Sequence, residues 1–167
     1  MQEIYVENIK EVFRNKKNIE KELKIKLTNK GKDFFVKGNP ENEYLALKVL
    51  EAVNLGFSVS KALQLKDENV ILQALNIKDI TKKHDLERIR ARIIGTGGKT
   101  LKTLQHLTEC DLSISNNQIG IIGDAEEVEY AVQALTSLIH GSKQGNVYAR
   151  LERHRKDTRM NKFRIFE

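Results

Sequence analysis

Cysteine, proline and tryptophan are nearly missing from this chain of 167 residues, which has one cysteine, one proline and no tryptophan. A lone Cys110 excludes an intramolecular disulfide, and His84, His106, His140 and His154 are scattered without a second thiol at ligand spacing, so no metal site is expected. Cys110 lies between a helical stretch and an apolar run and reads as an inert packing residue. There is no apolar run of roughly eighteen residues, and Met1-Gln2-Glu3-Ile4 lacks the basic-then-apolar order of a secretory signal. The chain therefore reads as soluble, cytoplasmic and free of any membrane role. Catalytic arrangements are missing too. Gly98-Lys99-Thr100 imitates the end of a nucleotide-binding P-loop, but the position that motif reserves for its first glycine holds Ile93. No Ser-His-Asp order with an elbow occurs, and the acidic pairs fall in the first turns of helices, where capping explains them. Neither an enzyme nor a cofactor is predicted.

What the chain does have is an excess of positive charge, +6 with a pI near 9.3, distributed in blocks. From Arg88 to Lys102 there are five basic residues (Arg88, Arg90, Arg92, Lys99, Lys102) and no acid. From Glu109 to Gly141 the sign reverses, with Glu109, Asp111, Asp124, Glu126, Glu127 and Glu129 and no Lys or Arg. From Ser142 onward it is basic again, with eight Lys and Arg against three acids. Such segregation suits a polyanionic partner, a phosphate backbone above all.

The chain also repeats itself. A shift of 85 residues places Gly38-Asn39-Pro40-Glu41 on Gly123-Asp124-Ala125-Glu126, Ala46 on Ala131, Leu50 on Leu135 and Gly56 on Gly141. Both segments read as a short apolar strand, a glycine, an N-cap and an amphipathic helix. Asn39 is expected to cap ahead of Pro40, and Asp124 with Glu127 has the spacing of a capping box. Working backwards from the second helix, Gln118 to Ile122 and Asp111 to Ser115 read as strands, Lys99 to Thr108 as a helix, Ile93-Ile94 as a helical turn and Leu86 to Arg92 as an opening strand. In the first copy Ile4 to Glu7 opens the unit. There Asn15-Lys16-Lys17-Asn18 occupies the loop position, and Ile19 to Leu23 leaves scarcely one helical turn.

Between the two helices of the second copy lies Gly95-Thr96-Gly97-Gly98. Paired glycines let a backbone approach a ligand closely and leave amide hydrogens free at the positive end of the following helix, a phosphate site. Lys99 and Lys102 after the loop and Arg90 and Arg92 before it would add cations. Ile93, Ile94 and Ile114 would floor a groove for bases, and a single strand of about four nucleotides fits that description.

Arg92-Ile93-Ile94-Gly95-Thr96-Gly97-Gly98-Lys99-Thr100, with Leu104 to Thr108 and Ile119 to Gly123, resembles a type I KH domain with its G-x-x-G loop. Gly56-Phe57-Ser58, Lys61-Ala62-Leu63, Asp67 to Ile80, His140-Gly141-Ser142, Val147-Tyr148 and Leu151-Glu152-Arg153 resemble an archaeal two-KH ribosome-assembly family. That family is the counterpart of the eukaryotic protein that partners the endonuclease of the small-subunit rRNA 3′ end. The resemblance implies an α+β fold of two β-α-α-β-β-α repeats, each a three-stranded sheet with helices on one face, plus a basic C-terminal helical tail. It divides the chain into a degenerate first repeat with a helical connection (1–83), a second KH domain (84–142) and the tail (143–167). It further implies a monomer that binds single-stranded RNA, the 3′ region of small-subunit rRNA, during maturation, with the endonuclease and the alpha subunit of a translation initiation factor as protein partners. Within it Gly95, Thr96, Gly97 and Gly98 carry over as the clamp on the RNA backbone. Arg150 and Arg153 of the tail are expected to add phosphate contacts, and Phe163 and Phe166 to dock on a partner or on the protein body. The alternative is a protein-interaction platform that recruits the endonuclease or initiation factor, with RNA binding secondary; the glycine-free loop at Asn15 to Asn18 and the acidic face of Glu126, Glu127 and Glu129 favour it.

Overall fold

Short alternating runs in the first third of the chain build an antiparallel sheet. In the computed structural model, which describes residues 1–165, β3 (Asp33–Lys37) pairs with β1 (Gln2–Tyr5) on one side and β2 (Lys26–Lys30) on the other. Leu27, Phe34 and Val36 are buried, as period-two alternation requires of one face. Against them pack α1 (Ile9–Arg14), α2 (Lys16–Leu23) and α3 (Pro40–Asn54), through Val12, Ile19, Leu23, Val49 and Leu50. Asn39 caps α3 as expected, accepting from the Asn42 amide at 2.9 Å, with Pro40 at the first helical position. The loop expected from Asn15 to Asn18 is not formed. Asn15 alone joins α1 to α2, its side-chain amide donating to the Glu11 carbonyl at 2.8 Å, and Lys16 starts a helix of about two turns rather than one.

The second sheet repeats the arrangement, with β6 (Gln118–Asp124) between β4 (Val70–Asn76) and β5 (Asp111–Ser115). The 85-residue shift carries β2 onto β5 and α3 onto α8 (Ala125–Ile139) residue for residue. It fails further towards the N-terminus, and two expectations change there. Leu86 to Arg92 is not a strand but most of α6 (Leu86–Ile94), capped by Asp85, which accepts from the Arg88 amide at 3.2 Å. The alternation that suggested a strand comes from Arg88, Arg90 and Arg92. Leu86, Ile89 and Ile93 instead recur at helical spacing and pack into the core. The opening strand is β4, which pairs with β6 from Val70↔Asp124 to Asn76↔Gln118. A boundary at 83/84 would cut this sheet from its own edge strand, so the second unit begins at Val70. Asp124 precedes α8 but makes no side-chain capping bond, so the expected capping box with Glu127 is not formed.

β6 is buried on both faces. Ile119 and Ile121 join the core beneath α6, α7 (Lys99–Thr108) and α8, whereas Ile122 joins the core of the first unit, together with Val70 and Leu72 of β4. Leu55 and Phe57, just beyond α3, lie across the outer face. A Cβ placed on Gly120 would stand 2.6 Å from the Phe57 ring and 3.1 Å from Leu55 Cβ. Only glycine lets the two units close here. Gln64 fastens the edge, donating to an Asp111 carboxylate oxygen at 2.6 Å, with Lys61 3.9 Å from the other oxygen.

α9 (Gln144–Ile165) lies over α7 and α8, burying Val147 and Leu151. The His154 ring stacks on Tyr130 with centroids 3.3 Å apart, and Arg155 lies 3.1 Å from His106 and 3.7 Å from Glu109. Met160 and Phe163 are exposed near the far end, and Phe166 lies outside the described residues.

Two consequences can be measured. Gly120→Ala is expected to cost about 1–3 kcal/mol of stability by overpacking, and much less in a Phe57→Ala background, which removes the obstructing ring; denaturant unfolding of the four variants reads the coupling. Cys110 is packed against Gly123, and burial pushes its thiol up to about 12. It should resist thiol reagents at pH 8 in the native protein and react only on unfolding. Because the folded state holds this proton more tightly, stability attributable to the thiol is lost as pH rises from the usual thiol range towards 12.

Candidate nucleic-acid interface

The glycine loop joins α6 to α7 through a single 3₁₀ turn. Gly95 (φ +75°), Gly97 (φ +62°) and Gly98 (φ +76°) all take left-handed backbone angles that disfavour a side chain. Gly95 has a second reason to be glycine, since a Cβ there would fall 2.8 Å from the Thr100 amide nitrogen and on top of its hydroxyl. Cβ atoms on Gly97 and Gly98 would meet nothing within 4 Å, so these two face open space. The Gly98 amide donates to Gly95 O at 3.2 Å and the Lys99 amide to Thr96 O, and these two bonds close the turn. α7 starts behind Gly98 with no side-chain capping bond at its positive end. Its last turn ends at Glu109 in the left-handed conformation.

Among the predicted site residues, Arg92, Gly95, Thr96 and Lys99 come together, with Thr100, around a cavity of about 400 Å³. Gly97 and Gly98 sit on its loop, and Lys99 and Lys102 are exposed on α7. Ile94 is 37% exposed and Ile114 is half-buried, so both can present an apolar surface. Ile93 cannot: it is fully buried in the core, because the last turn of α6 directs it inward, and its assignment to the groove floor is corrected. Arg90 is half-buried, while Arg150 and Arg153 are exposed on α9 outside the loop cavity. Arg150 lines a separate apolar cavity of about 170 Å³ with Tyr130, Val147 and Leu151, and Arg153 donates to Ala149 O at 3.4 Å.

One residue here escaped the sequence reading. Gln144, at the start of α9, donates to Thr100 Oγ1 at 3.2 Å and to Arg92 O at 3.5 Å. Arg92 in turn donates through its guanidinium to Ser142 O. These bonds tie the loop's two helices to the connection between α8 and α9, across 44 to 52 residues of sequence that carry no local pattern for the contact.

The fold and loop together define a tandem of two type I KH units, in which the second keeps a complete G-x-x-G loop and the first has none. The model of the eukaryotic type KH domain (KH domain type I), as the second domain of PNO1, matches residues 71–156, and the chain belongs to this PNO1-type KH family. It is 29% identical over 165 residues to a KH domain-containing protein of Methanocaldococcus jannaschii, covering 91% of this chain and 70% of that one. It is 33% identical over 105 residues to the pre-rRNA-processing protein pno1 of Schizosaccharomyces pombe, covering 61% of this chain but only 44% of that protein. The aDim2p chain solved in an a/eIF2alpha–aDim2p–rRNA complex from Pyrococcus horikoshii is 28% identical, with a TM-score of 0.85 over 93% of this chain and 94% of that one.

The loop geometry ranks its glycines. Gly97→Ala and Gly98→Ala should each cost about 1–2 kcal/mol, the strain of a left-handed backbone. Gly95→Ala should cost about 3 kcal/mol or more, because the clash with Thr100 adds to that strain. Thermal unfolding of the three variants checks the order.

Proposed function

We propose that the chain binds single-stranded RNA of the 3′ region of small-subunit rRNA through the loop Gly95 to Gly98 and assists its maturation and the assembly of the small ribosomal subunit. The observation that carries this is the loop itself: glycines at positive φ, of which Gly97 and Gly98 face open space, a helix N-terminus without a side-chain cap, and Arg92 and Lys99 around one cavity. The family adds support, since a relative is a pre-rRNA-processing protein and a structural neighbour was solved with rRNA. Ile94 and Ile114 offer apolar contact for bases, and the exposed Lys102, Arg150 and Arg153 further phosphate contacts. The protein acts by binding and positioning, without catalysis, and the ribosome-assembly role supports the cytoplasm as its site.

Two protein partners belong to the same reading. An initiation factor alpha subunit is supported by the neighbour solved with a/eIF2alpha, and recruitment of the endonuclease that matures the rRNA 3′ end by the resemblance of the chain's motifs to its assembly partner.

Fluorescence anisotropy with a short RNA matching the 3′ end of small-subunit rRNA tests the clamp. The variant Thr96→Asp/Gly97→Asp puts two carboxylates among the phosphates and should lose most of the binding while still folding. Wild-type affinity should fall with salt by about 0.7 log units per neutralised phosphate per log unit of salt. Unchanged binding by the double variant would remove the loop from the function.

A further inference from the structure

A second basic cleft, of about 600 Å³, lies on the other side of Arg92 from the loop cavity, between α6 and the C-terminal end of α8. Lys83, Arg88 and Arg92 line it, with Gly141 on the opposite wall and Ile89 between. Two of these cations converge on one point. A Cβ on Gly141 would stand 3.6 Å from Lys83 Nζ and 3.8 Å from Arg92 Nη1. Like charges held that close repel unless an anion lies between them. Asp85 is the one carboxylate on the cleft, and its side chain accepts from the Arg88 amide as the cap of α6. Neither Lys83, Arg88 nor Arg92 forms an ion pair among the described residues. Gly141, at φ +102° just past α8, contributes backbone and empty space where a side chain would stand. The Arg92 guanidinium is held in place by Ser142 O, so this half of the seat is fixed in advance.

We propose that this cleft seats a backbone phosphate of the same RNA strand that the glycine loop clamps. The proposal rests on the loop reading. Arg92 lines both cavities, so the two adjoin. Arg88 stands seven residues before Gly95, about 10 Å along the helix. A strand leaving the loop along α6 therefore meets Arg92 first, then Lys83 and Arg88 over Gly141. An acidic protein segment could offer the same charge, but the cleft opens beside the loop's phosphate site and follows the same helix, which favours the strand.

Anisotropy with two RNAs separates the sites: one of four nucleotides, the length a single loop holds, and one of about twelve. Lys83→Glu/Arg88→Glu alters two exposed side chains and leaves the loop intact. It should weaken binding of the longer RNA about tenfold and reduce its salt slope by about 0.7 to 1.4, one or two phosphates' worth. The four-nucleotide RNA should change less than twofold, and Lys30→Glu/Lys37→Glu, an equal charge change on the first unit, should leave the longer RNA near wild type. Gly141→Asp, which puts a carboxylate between the two cations, should weaken the longer RNA well below Gly141→Ala, which carries the same backbone strain without the charge. Wild-type affinity and slope for Lys83→Glu/Arg88→Glu, while Thr96→Asp/Gly97→Asp still loses both RNAs, would overturn the cleft and leave the loop reading standing. If instead Thr96→Asp/Gly97→Asp binds both RNAs like wild type, the loop reading fails and the cleft proposal falls with it. Displacement of the longer RNA from wild type but not from Lys83→Glu/Arg88→Glu by a polyglutamate peptide of equal charge would assign the cleft to a protein and overturn the proposal.

Discussion

β6 has to satisfy two cores at once, and the relation between the two units depends on that. A strand buried on both faces cannot slip by one residue, because every side chain would then change face. Ile119 and Ile121 are held by the helices of the second unit and Ile122 by the first, while Gly120 leaves room for the Phe57 ring between them. The sheet is thereby locked from the side opposite its helices, where an isolated three-stranded KH sheet would meet water. The first unit has no glycine loop, yet it fixes the platform on which the second unit's loop stands. With Asn15 alone between α1 and α2, that unit has no flexible turn through which a backbone could approach a ligand.

The loop's own shape is set from below. Thr100 is buried beneath Gly95, leaving no volume for a side chain there, and Gln144 bridges Thr100 to Arg92. Docking of α9 and shaping of the loop are thus one event: Val147 and Leu151 bury the helix, and its first turn delivers the amide that braces α6 against α7. The open glycines, 97 and 98, remain on the solvent side.

Much of this was legible in the sequence. Both C-terminal helices, the paired strands before them and the glycine loop follow from periodicity and from a repeat that holds without a gap from β2 to α3 and from β5 to α8. Misreading began where the repeat stopped. The alternating arginines of α6 imitate a strand because arginine on a solvated helix face can fall at any spacing, and only Leu86, Ile89 and Ile93 report the true period. β4 was hidden for the converse reason. Its residues are divided between two cores, Val70 and Leu72 with one and Leu75 with the other, so no single alternation marks it. Ile93 was placed on the groove floor because its neighbour Ile94 belongs on the surface; adjacent helix positions point about 100° apart, and only packing decides which turns inward. The bonds of Gln144, formed between residues more than forty apart, leave no local trace.

The charge blocks take on meaning once folded. The acidic stretch after Glu109 and the basic tail are partners as much as they are surfaces: Arg155 lies against Glu109 and His154 against Glu127, at 3.7 and 3.5 Å. Each such pair is partly exposed and contributes little to stability by itself. Its effect is on the field. Arg155 of the tail is set against a local carboxylate, whereas the cations from Lys83 to Lys102 have no ion-pair partner among the described residues. The excess of +6 is therefore not spread evenly over the surface. The stretch from Arg88 to Lys102, along α6 and the start of α7, carries five cations and no acid beside the uncapped end of α7, and a phosphate chain approaching that edge meets them before any base is read.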